Sequence, residues 1–356
     1  MSKVIVENAT AGRRGELSWR RVKIRKSLDN ICRTMELEIP SGERARVRKH
    51  DMIRVRLANP LITDSGGRRL VTTVMVDEVA ASVEPSGRGL TVLGRSPARD
   101  IVDSTWTDDA IWPEGGMPRT LGSLTRKIAE RFGVAVSRFN AACPNSADPP
   151  DPTDGVGFFA WQNESPRAEL LIEAMAQGFL LTGNAAGGLY IWRPAGMRRS
   201  EGFRVTEGRN VRTIEWRENG AERFREYVVN GAFGVAGAFD RTCNTRRILT
   251  IDLTDTGVEE SKLRRIAYME MYRRRERRTA VTVSGWGLSD AQIQRLGETH
   301  QKKLFWGPNY LIPVRMPSMD LSEDLLTAEV ELEADETTMQ STVTLVNREA
   351  YLCGRS

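Results

Sequence analysis

The chain has 356 residues, of which 40% are hydrophobic and 28% charged. That is enough apolar material for two or three domains of roughly 100–200 residues, and it excludes a wholly disordered chain. With 52 basic and 47 acidic side chains the net charge is +5, a mild excess that sets only a weak expectation of anionic partners. The two histidines leave little material for His-based metal binding or catalysis. The cysteines Cys32, Cys143, Cys243 and Cys353 lie far apart, which fits neither a zinc site nor a disulfide framework. No apolar run approaches the ~18–20 residues of a membrane span. Met1–Asn8 has no long apolar core of a signal peptide, so synthesis in a reducing cytosol is expected.

Through the first ~100 residues, apolar and charged side chains alternate with a strand period. Val22 and Ile24 alternate with Arg21, Lys23 and Arg25; Met35, Leu37 and Ile39 with Glu36 and Glu38; Ile53, Val55 and Leu57 with Arg54 and Arg56. Val74, Val76 and Val79 follow the turn Asp64–Gly67, and Leu90 to Leu93 follow Pro85–Gly89. Strands apolar on one face and charged on the other predict a small antiparallel barrel or sandwich.

The period then changes. Leu121, Leu124, Ile128 and Phe132 have helical spacing, with Thr120 as N-cap and Gly133 as C-terminal cap. A second helix is predicted from Ser165-Pro166 through Leu170, Leu171, Ala174 and Met175 to Gly178. The Pro-rich stretch Cys143–Asp154 between them predicts an exposed loop. Leu180–Thr182 and Leu189–Trp192 flank Asn184–Gly188, a hairpin signal. Residues 98–205 therefore predict an inserted α/β domain. Strand pattern returns at Val211, Ile214 and Trp216, at Tyr227–Val229, at Thr279–Trp286, at Leu326–Ala334 and at Ser341–Val346, with a long helix over 259–278. The fold class predicted is β-rich α+β, two β-rich halves bracketing the insert.

Catalytic signatures are scarce. Gly155-Val-Gly157-Phe-Phe-Ala160 has the spacing of a dinucleotide fingerprint, but it follows a Pro-rich loop rather than a strand. His50 reads as a turn residue, and His300 lies in a polar stretch. No pair of carboxylates is marked for hydrolysis, so a carboxylate-based cell-wall hydrolase has no specific support. Neither catalytic, cofactor nor metal residues are assigned, and the chain is not expected to be an enzyme. The densest charge feature is the end of the long helix, Arg273, Arg274, Arg275, Arg277 and Arg278. Cations there complement the helix dipole. They are candidates for contact with a neighbouring subunit or solvent, with nucleic-acid binding as the alternative.

The order of several segments resembles the baseplate hub proteins of contractile-tailed phages, the phage Mu-type tail protein family. The segments are Arg25–Asp29 with Met35–Ile39, Val76–Val79 with Leu93–Asp103, Thr120–Val134, Glu164–Gly178, Asn184–Leu189, Glu207–Val211, Arg223–Gly231, Val281–Trp286 and Trp306–Asn309. The resemblance implies two small antiparallel β-barrel tube domains. The first is 1–97, completed by about 206–240, and the second is 241–356, carrying the long helix. It further implies a homotrimeric, pseudo-hexameric ring joining the hexameric tail tube to the trimeric spike, among other baseplate proteins. DNA or the tape-measure protein would pass through the ring. Its place would be the virion tail baseplate, after synthesis in the bacterial host cytoplasm, with no membrane partner for the monomer. The spike-base proteins of type VI secretion systems are a related reading. The stretches Cys143–Gly157 and Gly287–Phe305, the latter with a short helix expected at Ser289–Leu296, depart from the family pattern.

Overall fold

The computed structural model describes residues 2–59, 67–84, 87–105, 121–138, 171, 174, 179–192, 202–254, 260–275, 278–288 and 305–351. Outside them lie Thr120, the helix start at Ser165, the Cys143–Asp154 loop, Gly155–Ala160, Ser289–Leu296, Arg277, His300, Cys143 and Cys353.

The chain is β-rich with few helices, and antiparallel pairing dominates its large sheet. In the first half the strands are β1 Lys3–Asn8, β2 Gly15–Glu16, β3 Arg21–Ser27, β4 Thr34–Pro40, β5 Met52–Ala58, β6 Arg68–Glu84 and β7 Gly87–Arg95. Each alternating run sends its apolar set inward: Val22 and Ile24, Met35, Leu37 and Ile39, and Ile53, Val55 and Leu57 are all buried. Helices α1 Arg99–Asp103 and α2 Leu121–Arg131, with β8 Val136–Arg138, β9 Leu180–Gly183 and β10 Leu189–Trp192, form the insert. Its core joins Leu121, Leu124, Ile128, Leu181 and Leu189, and the helical residues Leu171 and Ala174 pack there. β9 and β10 pair across the expected hairpin.

The second half contains β11 Val205–Thr206, β12 Val211–Arg217, β13 Glu226–Gly231, β14 Gly234–Phe239, β15 Ile248–Leu253, α3 Glu260–Arg275, β16 Arg278–Ser284, β17 Leu311–Met316, β18 Leu321–Asp335 and β19 Met339–Val346. Its main strands repeat the first half. One half pairs in the order β3-β4-β7-β6-β5 and the other in the order β12-β16-β19-β18-β17. The long strands β6 and β18 behave alike. β6 pairs β5 up to Met75 and β7 from Met75 onward; β18 pairs β17 up to Leu326 and β19 from Leu326 onward. Each bends at a bulge just past the switch, between Val76 and Glu78 and between Thr327 and Glu329. Placing Glu329 on Glu78 also places their ladder partners, Thr344 and Leu93, on one another. Propagated outward, the registers set β16 on β4 and Ile214 of β12 on Val22 of β3.

The segment of about 206–240, expected to complete the first half, has these strand pairings among the described residues. β12 pairs β16 and opens the second half, while β13, β14 and β15 form a separate three-stranded sheet. The physical reason is alternation: Ile214 and Trp216 recur on one face of β12 as Val22 and Ile24 do on β3, so β12 fills the first strand position of its own repeat.

The halves join through β3 and β18, antiparallel, with Val330 opposite Lys26 and Leu332 opposite Ile24. On the outer face the joint is a ladder of ion pairs: Arg21 to Glu333 at 2.6 Å, Lys23 to Glu331 at 2.9 Å, and Arg25 to Glu329 at 2.7 Å. On the inner face one continuous core includes Val22, Ile24, Val330 and Leu332 with Val92, Val283 and Leu345. Lys26 is buried there with no hydrogen bond or ion pair among the described residues. Burial, with Arg33 nearby, holds its ammonium pKa well below the usual lysine range. Arg33 pins the insert to the first half, donating from Nε to Gly183 O and from Nη1 to Val71 O, both at 2.9 Å. Burial pulls its pKa down to about 10.

Candidate interface site at the arginine-rich helix

In the first repeat only the turn Leu28–Arg33 connects the first two strands. In the second repeat the equivalent connection, from β12 to β16, carries the three-stranded sheet and α3. α3 forms because Leu263, Ile266, Ala267 and Met271 share one face, which packs on Tyr227, Val229, Ala236 and Ala238 of the sheet. The opposite sheet face leaves Val235, Phe239 and Ile248 exposed, with the Arg225 guanidinium 4.9 Å from the Phe239 ring centre.

The predicted arginine cluster is present but turns partly inward. Arg273 Nη2 reaches Asp29 Oδ1, Arg278 Nη2 reaches Asp29 Oδ2 at 3.1 Å, and Tyr351 Oη donates to Asp29 Oδ1 at 2.9 Å. Glu270 takes Arg273 Nη1 at 3.4 Å and Arg274 Nε at 3.1 Å. Arg274 also lies 5.6 Å over the Phe224 ring. Asp29, in the short turn of the first repeat, therefore anchors the root of the long excursion in the second. Burial pushes its carboxyl upward in pKa, but Arg273, Arg278 and the Tyr351 hydroxyl more than offset this and hold it below the usual carboxylate range. The same burial raises the Tyr351 hydroxyl. Arg273 and Arg278 thus make contacts within the chain rather than standing wholly in solvent. Arg275 is exposed, and Arg277 lies outside the described residues. Asp29 and Tyr351 were not legible in the sequence, since 244 residues separate Asp29 from Arg273.

Beside this cluster lies an open cleft of about 690 Å³, lined by Arg25, Glu215, Arg217, Glu222, Glu270 and Arg274 among others. It is lined by both cations and carboxylates, and Arg25 and Arg274 are already paired. Such a surface suits protein contact better than a polyanion. A second cleft, of about 640 Å³, lies at the far end of β6 and β7. His50 sits in a turn with φ of 67°, as the sequence suggested, its Nδ1 3.1 Å from Arg99 Nη2. Among the described residues no group of three His, Cys, Asp or Glu side chains could hold a metal ion, and no helix is long and apolar enough to cross a membrane.

No protein-family profile matches the chain. It is 24% identical to baseplate hub protein gp44 of Escherichia phage Mu over 94% of its own length and 86% of that protein's. Its fold superposes on the 43 kDa tail protein of prophage MuSo2 from Shewanella oneidensis with a TM-score of 0.72 and 21% identity, covering 98% of this chain and 99% of the other. A tail protein of Neisseria meningitidis MC58 gives a TM-score of 0.70 at 15% identity, with 99% of each chain covered. A component of the Escherichia coli type VI secretion system gives 0.55 at 9% identity, covering all of this chain and 79% of the other. The resemblance read from the residues is borne out: along nearly its whole length the chain is similar to a Mu-type baseplate hub protein, and it has the fold of the prophage tail proteins.

Proposed function

We propose that this protein is a structural baseplate hub of a contractile phage tail, three copies forming a pseudo-hexameric ring between the hexameric tail tube and the trimeric central spike. The observation that carries the reading is the internal repeat. One chain bears two copies of the same five-strand unit in the same register, so three chains supply six units around a three-fold axis. Each unit is read as a small β-barrel tube domain, one within 1–97 and one beginning near 205, with 98–205 between them. The protein works by shape in the virion and carries out no reaction. Its partners are its own copies, the spike, the tube and other baseplate proteins, and the ring passes DNA or the tape-measure protein.

Similarity to the phage Mu hub protein supports this reading. The fold shared with the type VI secretion component favours, as a second reading, the spike base of such a system, which neighbouring genes distinguish. Nucleic-acid binding by the arginine helix loses ground because Asp29 and Glu270 already neutralise much of it. The test is tail assembly without this chain, viewed by electron microscopy. Tubes lacking a spike-bearing baseplate are expected; normal, infectious tails would overturn the proposal.

A further inference from the structure

The two repeats differ at one edge. In the second, the stretch of β18 beyond the bulge, Glu329–Asp335, is covered by β3. In the first, the equivalent stretch of β6, Glu78–Glu84, pairs only β7, and its other edge has no strand among the described residues. The strand equivalent to β3 is β12, which ends the sheet and whose outer edge has no strand among the described residues. Open edges of this length are templates for another strand.

We infer that β12 of one copy pairs antiparallel with the distal edge of β6 of the next, in the register that β3 and β18 use within the chain. The inference rests on the ring reading for the identity of the partner, and adds the joint that closes the ring.

The register follows from the repeat. Leu332 opposite Ile24 becomes Ala81 opposite Trp216, and Glu331 opposite Arg25 becomes Ala80 opposite Arg217. The side chains fit this exchange. Trp216 is 53% exposed, an unusual state for the residue in the core position that Ile24 occupies. Ala81 is small and lies in the 640 Å³ cleft, whose floor is Val79, Ala81 and Leu90. A small residue opposite an indole replaces a leucine opposite an isoleucine, so the pair conserves volume roughly. Charge agrees as well. The cleft rim carries Arg44, Arg48 and Lys49, all exposed and without an ion pair among the described residues. Glu218, the residue just after β12, falls in the place of Lys26 when the register is continued, and is exposed. Entering the cleft beside Trp216, it meets the three cations. The contact is heterologous, one surface of each copy on a different surface of the next, so three such joints close a ring.

The test combines cross-linking and association. The double variant Ala80→Cys with Arg217→Cys places thiols on a proposed cross-strand pair, within about 4.5–5.5 Å at Cβ. Mild oxidation should yield covalent dimers and trimers by non-reducing electrophoresis, with neither single variant nor the parent chain doing so. Trp216→Asp and Ala81→Arg, both at exposed positions, should each weaken self-association at least ~10-fold by sedimentation, with unchanged circular dichroism. An oligomeric parent chain that neither variant weakens and the cysteine pair does not cross-link overturns this joint while leaving the ring standing. A parent chain monomeric at hundreds of micromolar, and uncross-linked, overturns both.

Discussion

Asp29→Asn tests how the arginine helix is held. The substitution keeps the shape of the side chain but removes the charge that Arg273 and Arg278 share. Asp29 is 20% exposed, Arg273 25% and Arg278 43%. A fully buried pair broken on one side costs about 3–5 kcal/mol, but partial exposure reduces this. Arg278, nearly half exposed, accounts for no more than about 0.5 kcal/mol. Arg273 accounts for about 1–1.5 kcal/mol, and the weakened bond from Tyr351 for about 0.5–1 kcal/mol. The expected loss is therefore about 1.5–3 kcal/mol, read as a lower urea midpoint with faster hydrogen exchange in α3 and residues 348–351. The pH dependence has a fixed sign. The folded carboxyl titrates below its unfolded value of about 3.9, so its contribution is complete above that value and is lost as pH falls through the folded one. The gap between parent and variant should be full at neutral pH and narrow in acid. A variant within ~0.5 kcal/mol of the parent at neutral pH, or a gap that does not narrow in acid, would refute the account of Asp29.

Lys26→Met should raise stability by about 1–3 kcal/mol at pH 7, because a buried ammonium with no partner among the described residues is replaced by an apolar chain of similar length. The parent chain, whose folded lysine titrates low, should gain stability as pH rises towards the ordinary lysine value, and the methionine variant should not; a destabilised variant contradicts this. Leu332→Ala, in the core beneath the joint of the halves, should cost about 2–5 kcal/mol in urea unfolding. Arg25→Glu should cost about 1 kcal/mol or less, being a partly exposed rung, and adding Glu329→Arg should restore most of it; failure of the rescue would show that the ladder does not act by pairing.

Much of the fold was legible where one face is buried and the other wet. The runs Arg21–Arg25, Met35–Ile39 and Glu329–Ala334 declare strands because a slip of one residue would expose every apolar side chain. The helical spacing from Leu121 and the long helix were equally plain, the latter described over Glu260–Arg275, with Arg278 already in β16. The pairing of β12 was not legible, since Ile214 and Trp216 announce a strand but not its neighbour. Nor was the repeat, because it resides in ladder register and bulge position, while the residues that fill it, such as Leu332 against Ala81, differ freely. The site shows the same limit. The arginine run is conspicuous in the chain, whereas Asp29, which gives it direction, is one carboxylate among 47 acidic residues and becomes meaningful only when folding brings it to Arg273.

In the proposed ring, two repeats in one chain make six units from three copies. Native mass spectrometry of the purified assembly, or of the hub released from tails, counts those copies directly. A closed species of three chains is expected. A ring of six chains, or a chain that stays monomeric even within the baseplate, would contradict it.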